Sequence, residues 1–479
     1  MQKIHTGWLI TGICVLALFL PRAVMEGAFP DSQVYAGLAR SMAEGQGSFW
    51  KPACQQNSWV SAIENEAFYA HPPLQFWLQS GFYRVLGTHW ATERIYCAVI
   101  LLLSIGLILV IWRKLFPQNP QYQGFAWMAV LLWYLTPAVQ WGMPYAMLEC
   151  TMGVFCLAAL AALLHSPRGF WLLLSGLLVS AAFLTKGFAG LFPLAAPFLI
   201  WAFLPQKRPF TLAHACIPAL TTGLFFLFLA LYAPSRQFFT HYFELQLSPA
   251  LEYETYQQEK WSGRGALLEM LFSEALPLLI PALLLALWAW IRTKKVYLPD
   301  TNSLFALLVF LSASLPLFVS YKQHIYYLIP AAPWLAIAVA AWMLPLWPRI
   351  SLLPRQKTYL HAALFFALLL VLGYAVTRAG KPEREKQLIA FIHQIQAEVS
   401  DYEEIMLCKE MEESYTLHSY VWRYGNWPLS SDSPGEGIRY AISGATCSGD
   451  YERSLQEKGW QRKIQTGPWQ LWQKTPLLP

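Results

Sequence analysis

The chain has 479 residues, of which 56% are hydrophobic and 13% are charged, and its mean hydropathy is +0.36. A soluble globular protein carries about 25% charged residues, so this composition excludes an ordinary cytosolic enzyme, a disordered scaffold and a nucleic-acid-binding module. The net charge of +6 is less informative than the positions of the basic residues along the chain. Aromatic residues make up 15% of the sequence, as is typical of a chain with many membrane–water interfaces. These features indicate a polytopic α-helical membrane protein.

Eleven segments satisfy the requirement of a spanning helix for about 20 mostly apolar residues. In chain order they are 5–22, 94–112, 122–141, 146–164, 169–185, 187–204, 211–232, 271–291, 302–320, 325–346 and 358–377. The first segment has a strongly apolar core as short as that of a signal peptide, but no small-x-small cleavage pattern follows within Pro21–Gly27. We therefore expect an uncleaved first helix, with a cleaved signal as the alternative. Only Thr185-Lys186-Gly187 separates the fifth and sixth segments, which predicts a tight hairpin or a partly re-entrant pair.

The basic residues predict the orientation of these spans. With a cytoplasmic N-terminus, the short inner segments contain one acid, Asp300, and are dense in basic residues. These are Lys3, Arg113, Lys114, Arg168, Lys207, Arg208, Arg292, Lys294, Lys295, Arg349, Arg355 and Lys357. Short loops rich in Lys and Arg stay in the cytoplasm, so we predict N-in and C-out.

Three regions then lie outside the cytoplasm. They are the loop 23–93, with helical stretches near 31–44 and 73–87, the loop 233–270, and the segment from 379 to 479, where charged residues return to soluble levels. In this last segment 382–400 has a helical pattern. Alternating stretches there predict strands at Glu404–Cys408, Tyr415–Tyr424, Ile438–Ser443, Trp460–Gln465 and Trp469–Lys474. The predicted organisation is a transmembrane module, 1–378, and a small α+β domain, 379–479.

The eight cysteines show no metal-ligand spacing, and we predict no metal ligands. Five fall in predicted spans, where a cysteine is usually a small apolar residue. Cys408 and Cys447 both lie in the outer domain, in an oxidising compartment, and we hypothesise that they form a disulfide. Cys54 is then left single.

Ionisable residues collect at the predicted outer ends of the spans. They are Asp31, Glu149, Lys186, Lys322 and His324, with His71 and Arg94 in or beside the first loop. Charges near membrane depth are costly and usually functional. A transporter more often places such groups at the bilayer midplane, on interrupted helices. One charged face instead indicates a site open to the envelope space and to lipid headgroups.

All of these residues except Arg94 belong to five short motifs. Asp31 follows Pro30, and alone it would be interpreted as a helix N-cap that stabilises by about 1 kcal/mol. The others are Phe68-Tyr69-Ala70-His71-Pro72-Pro73, Tyr145-Ala146-Met147-Leu148-Glu149, Thr185-Lys186-Gly187 and Ser320-Tyr321-Lys322-Gln323-His324-Ile325-Tyr326-Tyr327-Leu328-Ile329-Pro330. The paired prolines predict a helix that lies along the membrane surface.

In this order the motifs resemble those of the GT-C superfamily of membrane glycosyltransferases. The resemblance extends over residues 1–335 and points to the family 39-type branch, which holds the 4-amino-4-deoxy-L-arabinose lipid A transferases and the dolichyl-phosphate-mannose protein mannosyltransferases. It includes the loop Phe238-Phe239-Thr240-His241-Tyr242-Phe243. It implies a GT-C-like fold of about 11 spanning helices.

The resemblance also assigns roles to single residues. The family aspartate after the first span falls on Asp31, and the acid that opens the fourth span falls on Glu149. The family lysines fall on Lys186 and Lys322, and Arg94 matches an arginine that opens the second span. The chain departs from the family at four positions, where it has Ser32 for Glu, Val34 for Arg, Ala70 for Glu and His71 for Lys. The two lost cations would help to hold a lipid phosphate, so the departures indicate either an altered substrate or lost activity.

The implied function is an inverting glycosyltransferase that moves a sugar from a polyprenyl-phosphate carrier to an envelope lipid, glycan or protein. Asp31 is the expected catalytic base, and Glu149, Tyr69 and Tyr145 are expected to bind sugar or acceptor. The residues expected to bind the lipid phosphate are His71, Lys186, Lys322, His324 and Arg94, with the first three converging on one outward-facing cavity. No cofactor is required besides the lipid-linked donor, and the involvement of a divalent metal stays open. The partners are the bilayer, the donor and the acceptor, without nucleic acid.

Two other functions stay open. A lipid-linked-sugar flippase or transporter would carry midplane charges and no fixed base, and a non-catalytic paralogue would act as a binding subunit. For each tyrosine of the motifs, membership of the interfacial aromatic belt is the alternative role. For His324 and Glu149 the alternatives are a hydrogen-bonded helix end and a charge favoured by the helix dipole.

Overall fold

The structure is a computed structural model and describes residues 2–54, 63–64, 66–117, 120–204, 210–252, 265–347, 354–431 and 437–475. Its α-helices are α1 (Gln2–Ala23), α2 (Pro30–Ala43), α3 (Leu74–Leu86), α4 (Ala91–Leu115), α5 (Pro120–Gln123), α6 (Ala126–Leu135), α7 (Pro137–Gly142), α8 (Leu148–His165), α9 (Gly169–Lys186), α10 (Ala196–Phe203), α11 (Leu212–Leu231), α12 (Ala233–Tyr242), α13 (Ser248–Leu251), α14 (Ala266–Thr293), α15 (Thr301–Ser314), α16 (Ala332–Met343), α17 (Pro354–Arg378), α18 (Lys386–Ile395), α19 (Tyr415–Gly425) and α20 (Gly449–Glu457). Its strands are β1 (Gly47–Ser48), β2 (Lys51–Pro52), β3 (Ile63–Glu64), β4 (Ala67–Phe68), β5 (Ile405–Leu407), β6 (Leu429–Ser430), β7 (Tyr440–Ser443), β8 (Trp460–Thr466) and β9 (Trp469–Lys474).

Each predicted span coincides with a helical segment. Within the described residues, eight segments are long and apolar enough to cross a membrane: Thr6–Ala23, Ala91–Leu115, Leu148–His165, Gly169–Phe203, Leu212–Leu231, Ala266–Thr293, Thr301–Val319 and Thr358–Arg378. The 35-residue segment Gly169–Phe203 covers the fifth and sixth predicted spans, and two shorter apolar helices, Ala126–Leu135 and Ala332–Leu346, cover the third and tenth. The polytopic helical fold class is therefore confirmed. Lys207, Arg208 and Arg349, which the orientation argument used, lie outside the described residues.

The chain divides into two compact units. Unit 1 consists of 1–24 and 94–379, and unit 2 consists of 25–93 and 380–479. The first loop thus forms one compact unit with the C-terminal segment, whereas we had grouped it with the spanning helices. The predicted domain boundary at 378 coincides closely with the point where unit 1 ends, and the two-domain description stays a prediction.

Unit 1 is a bundle of apolar helices around α8. In the structure 83% of α8 is buried, whereas α11 and α14 are each 22% buried and present leucine and phenylalanine outward. An apolar helix surface of this kind suits contact with lipid tails. The short connection between α8 and α9 makes them antiparallel neighbours, so the start of α8 and the end of α9 lie at the same end of the bundle.

A buried carboxylate in α14 explains a break in the third span. At Thr136 the helix α6 ends, and α7 begins with Pro137, so the first N–H groups of α7 have no acceptor within their own helix. Glu274 is 3% exposed and accepts the backbone N–H of Ala138 at 2.9 Å. Glu274 therefore caps α7 from a neighbouring helix.

In unit 2 the C-terminal segment forms a five-stranded sheet in the order β6-β5-β7-β9-β8. The β5 strand pairs in parallel with β6 and β7, and β9 pairs antiparallel with β7 and β8. The sheet buries a core with α18, whose apolar face includes Phe391 and Ile392. Four of the five predicted strands coincide with observed strands. The prediction of a strand at Tyr415–Tyr424 is wrong, because this segment is the helix α19. Residues 417–424 of α19 are all buried, polar residues such as His418, Ser419 and Arg423 among them, so polarity does not mark a solvent-facing side of this helix.

Two buried arginines attach α19 to the first loop. Arg423 forms a two-point ion pair with Glu93 at 2.8 and 2.9 Å, and the two residues are 1% and 5% exposed. Arg40 of α2 donates to the carbonyl of Tyr424 at 2.7 Å. Paired guanidinium and carboxylate groups of this kind are rigid when buried. The first loop and the C-terminal segment therefore form one folded body.

The structure contains the hypothesised disulfide between Cys408 and Cys447. These residues are 39 positions apart, and the bond joins the end of β5 to the turn before α20. Closing a loop of this length in the unfolded chain stabilises a domain by about 2–4 kcal/mol.

We expect reduction of the denatured protein to add two hydrogens to its intact mass and two further thiols to its alkylation count. Cys408→Ser and Cys447→Ser should each lower the thermal stability of unit 2 without changing helix content. Cys216→Ser is the control, at an exposed cysteine outside the disulfide, and should change neither the thermal stability nor the helix content. Two additional reactive thiols in the protein before reduction would contradict the disulfide.

Candidate functional site

A buried ion pair lies where α8 begins and α9 ends. Lys186, the last residue of α9, donates a hydrogen bond from Nζ to Oε1 of Glu149, in the first turn of α8. The Glu149 side chain is fully buried, and that of Lys186 is 10% exposed. An ammonium carries three N–H donors, so this pair leaves Lys186 able to bind a second anion. The two residues that we had assigned to sugar and to phosphate are thus direct partners.

Aromatic rings enclose the Lys186 ammonium. Its Nζ lies 4.4 Å from the ring centroid of Tyr327 and 5.4 Å from that of Tyr326. Tyr326 also stacks on His324 at 4.9 Å and on Trp141 at 5.5 Å, with nearly parallel planes. Ring faces attract a cation and exclude water from it. We call Glu149, Lys186, Lys322, His324, Tyr326, Tyr327 and Trp141 the Lys186 cluster.

Within this cluster His324 is neutral at physiological pH. Partial burial, and then the nearby Lys322 and Lys186 charges, lower the pKa of His324 to about 4. The residue lies between the ninth and tenth spans, in a turn that Tyr321 fixes by donating its backbone N–H to the carbonyl of Ala250 at 3.1 Å. The imidazole can therefore donate one hydrogen bond but supplies no positive charge above pH 5.

Arg94 stabilises the turn that leads into α8. It is 5% exposed, donates to the carbonyl of Pro144, and lies over the ring of Tyr145 at 5.5 Å from the centroid. The next residue, Ala146, has φ of +51°, a left-handed conformation that costs a non-glycine residue about 1–2 kcal/mol. This bend places Glu149 in the first turn of α8. The predicted contact of Arg94 with a lipid phosphate stays a prediction.

Gly187 follows Lys186 because no other residue fits there. Its φ is +76°, and a Cβ atom at this position would collide with the hydroxyl of Tyr242 in α12. The loop motif that contains Tyr242 thereby fixes the backbone next to Lys186. This contact gives a structural reason for the Lys-Gly pair.

An apolar cavity adjoins the same backbone. It has a volume of about 480 Å³ and lies between α9, α11 and α12. Five of its eleven lining residues are phenylalanine, among them Phe183, Phe188, Phe226 and Phe239, and the lining also includes Tyr242 and the charged Arg236 and Glu244. Phe183 and Phe188 flank Lys186 in the sequence, so the backbone of a charged residue adjoins the lining of an apolar cavity in unit 1.

Asp31 lies in unit 2, in the first turn of α2. The helix begins at Pro30 with Phe29 as its N-cap residue, so the alternative role of Asp31 as N-cap is excluded. Its Oδ1 accepts a hydrogen bond from the hydroxyl of Tyr415 at 2.8 Å. Tyr415 is the first residue of α19, in the segment that we had predicted as a strand. Sequence reasoning missed this residue because the two positions are 384 apart in the chain.

His71 and Tyr69 also belong to unit 2. His71 is partly buried and packs edge-to-face on Tyr35 at 5.9 Å, and Tyr69 is 4% exposed. Tyr35 in turn stacks on Phe76 of α3 at 5.6 Å. The predicted convergence of His71 with Lys186 and Lys322 stays a prediction, as do the sugar contacts of Tyr69 and Tyr145.

Sequence reasoning also missed Trp141. Its position near the end of the third span is typical of the aromatic belt, which hides a stacking role. Among the residues that the structure describes, no group of three or more His, Cys, Asp or Glu side chains is arranged to hold a metal ion.

Comparison with known proteins shows which family and which solved structures this chain is similar to. Residues 70–233 match the family described as dolichyl-phosphate-mannose-protein mannosyltransferase. The structure is similar to that of ArnT from Cupriavidus metallidurans bound to undecaprenyl phosphate, with a TM-score of 0.64, 16% identity, and 98% of each chain covered. The chain therefore has an ArnT-like fold, of the GT-C type that the sequence predicted.

Other solved structures agree with this assignment of the fold. The apo form of the same ArnT gives a TM-score of 0.60 at 15% identity, with 98% of each chain covered. An oligosaccharyltransferase from Archaeoglobus fulgidus, in complex with Zn and sulfate, gives a TM-score of 0.52 at 13% identity, with 97% of this chain and 72% of the other covered. A sequence comparison with curated proteins gives no significant match. The family match contains Glu149 and Lys186 but not Asp31 or Lys322.

The Glu149–Lys186 pair predicts a strong coupling in stability. Glu149→Leu should destabilise the protein by about 3–5 kcal/mol, because it leaves a buried ammonium without compensation. Adding Lys186→Met should recover most of that loss. The measurement is thermal unfolding of the purified protein in detergent.

The exposed pair Asp450 and Arg453 provides the control. The two side chains are 85% and 75% exposed, so Asp450→Asn should change stability by less than about 1 kcal/mol. A double variant no more stable than Glu149→Leu alone would show that the ion pair does not determine the stability of this region.

Proposed function

We propose that the protein is an inverting glycosyltransferase that takes a sugar from a polyprenyl-phosphate carrier and adds it to an envelope lipid, glycan or protein. The observation that carries this proposal is that the residues flanking Lys186 in the chain, Phe183 and Phe188, line an apolar cavity of about 480 Å³. A lipid phosphate needs a cation for its head and an apolar surface for its chain. That the similar ArnT was solved with undecaprenyl phosphate supports the same class of donor.

Lys186 and Lys322 would bind the donor phosphate. Lys186 can share its three N–H donors between Glu149 and a phosphate oxygen, and its low exposure strengthens both contacts. His324, neutral above pH 5, would donate a hydrogen bond. His71 and Arg94 are further phosphate ligands in this proposal, as the family resemblance implies.

The cavity between α9, α11 and α12 would take the first isoprene units. Its phenylalanine lining offers apolar surface, and Arg236 and Glu244 are its charged members. The contact between Tyr242 and Gly187 joins this lining to the backbone beside Lys186. Head and chain of one donor would thus be bound by one continuous part of unit 1.

The chemistry then requires one base. The acceptor oxygen attacks the anomeric carbon, the bond from that carbon to the phosphate oxygen breaks, and polyprenyl phosphate leaves as a stable anion. Asp31 takes the proton of the acceptor hydroxyl. Because the leaving group needs no proton, a second carboxylate of the glycosidase kind is unnecessary, and direct displacement inverts the anomeric centre. Lysine charges would stabilise the developing phosphate charge.

Glu149 has two proposed tasks. It holds Lys186 in place and, through the first turn of α8, contacts sugar or acceptor. Trp141 and Tyr326 are partly exposed and stacked, so they offer a flat ring face beside the ion pair, and Tyr145 packs edge-to-face on Trp141 at 5.5 Å. Ser32, Val34, Ala70 and His71 replace family residues, and we propose that they change the sugar that is accepted rather than abolish transfer.

We further propose that the reaction takes place on the extracytoplasmic side of a bacterial inner membrane, with the N-terminus inside and the C-terminal segment outside. The loop between α8 and α9 carries Arg168, and the last turn of α14 with the residues after it carries Arg292, Lys294 and Lys295. The Lys186 cluster lies at the other end of α9. The positive-inside rule assigns the end of the helix bundle that carries these basic residues to the cytoplasm.

The orientation predicts the reactivity of tags. A tag after Pro479 should react with a membrane-impermeant reagent in cells whose outer membrane alone is permeabilised. A tag before Met1 should stay protected until the inner membrane is opened. The reverse pattern would refute the proposed sidedness of the reaction.

Asp31→Asn should keep the fold and donor binding but lower turnover by about 10²–10⁴-fold, the usual contribution of a general base. The amide preserves the shape of the side chain and an oxygen for the Tyr415 hydroxyl, but it cannot take the proton. The donors are radiolabelled undecaprenyl-phosphate-linked sugars, which carry either a hexose or 4-amino-4-deoxy-L-arabinose, and the acceptor is an envelope extract. The measurement is the rate at which undecaprenyl phosphate is released.

Glu149→Gln is the companion variant and should act mainly through KM. A stable Asp31→Asn protein that transfers sugar at the parental rate would refute the assignment of the base. Donor binding without transfer by the parent protein would favour a non-catalytic paralogue, and movement of intact donor across vesicles would favour a flippase.

A further inference from the structure

We infer that Tyr415, in the C-terminal segment, is a positioning residue for Asp31. The inference rests on the proposed function, in which Asp31 is the catalytic base. It gives the C-terminal segment a direct part in the reaction rather than an accessory one. The decisive contact is the hydrogen bond from the Tyr415 hydroxyl to Oδ1 of Asp31, at 2.8 Å.

The tyrosine is held rigidly on its own side of this contact. It begins α19, which packs along α2 so closely that a Cβ on Gly37 would come within 3.0 Å of the Trp422 ring. One turn further along α19, Tyr420 donates to the carbonyl of Ala28 at 2.6 Å, only three residues before Asp31. Arg423 adds its buried ion pair with Glu93. The donor and the start of α2 therefore share one framework.

The hydroxyl stays a donor throughout the physiological range. The hydroxyl end of the Tyr415 side chain is buried. This burial is the larger cause, and the Asp31 charge the next, that raises the pKa of Tyr415 well above its ordinary value. A protonated phenol beside a carboxylate can only donate to it. The polarity of this hydrogen bond is thus fixed.

Fixing one carboxylate oxygen orients the other. An aspartate side chain rotates about two bonds, and the bond to Oδ1 selects one of these orientations and so sets the direction of Oδ2. In general acid–base catalysis the base is commonly oriented by a third group in this way. Tyr415 would therefore affect the rate of proton transfer and not the binding of donor.

The test is the substitution Tyr415→Phe, which removes the hydroxyl and keeps the ring. With the undecaprenyl-phosphate sugar that the parent uses best, we expect kcat to fall by about 10-fold and the KM for donor to stay within about 2-fold. In the Asp31→Asn background the same substitution should change kcat by less than about 2-fold, because there is no longer a base to orient. A purely structural role would lower kcat in both backgrounds.

Tyr440→Phe is the matched control. Tyr440 is a buried tyrosine of the same unit that donates to the carbonyl of Glu398 at 3.1 Å, and its loss should leave kcat unchanged. Unchanged kcat in folded Tyr415→Phe, with an active parent and an impaired Asp31→Asn, would overturn this inference alone. A parent that transfers none of the sugars, or an Asp31→Asn variant as active as the parent, would overturn the proposed function and the inference with it.

Discussion

A buried ion pair between Glu149 and Lys186 governs the arrangement of the helices in unit 1. Neither charge is stable alone at this depth, so the start of α8 and the end of α9 must meet. Two backbone features allow the two residues to pair. The left-handed turn at Ala146 leads into the first turn of α8, which carries Glu149, and Gly187, with its positive φ, ends α9 directly after the lysine. The tyrosines that enclose the ammonium come from a third element, the turn between the ninth and tenth spans. The buried Lys186 charge is thereby contacted by residues from three separate connections between helices.

Unit 2 solves a similar problem with arginine. Arg423 and Arg40 are buried, and both contribute bonds that cross between the first loop and the C-terminal segment. Guanidinium groups suit this task because their planar donors match carboxylate and carbonyl oxygens at fixed angles. The C-terminal segment is consequently part of the structure that holds Asp31, although it follows the last spanning helix.

Much of this architecture could be predicted from the sequence, because the signals involved are local. Apolar length predicted the spans, and alternation predicted four strands. The helix α19 was missed because its polar residues are buried together with its apolar ones, so polarity does not mark a solvent-facing side. The partnership of Lys186 with Glu149 and of Tyr415 with Asp31 was missed for a different reason: a hydrogen bond between distant residues leaves no pattern in either neighbourhood. Trp141 was hidden because a tryptophan near a helix end is already expected at a membrane surface.

The discontinuity of unit 2 has a consequence for how the protein is made. Residues 25–93 emerge from the ribosome early, but the partner segment begins only at 380, after all the spanning helices. At about 5–20 residues per second the wait is roughly 15–60 s. During this time Glu93 lacks its partner Arg423, Arg40 lacks the carbonyl of Tyr424, and the surface of α2 against which Trp422 packs is uncovered. The first loop therefore cannot complete its packing until α19 has been synthesised.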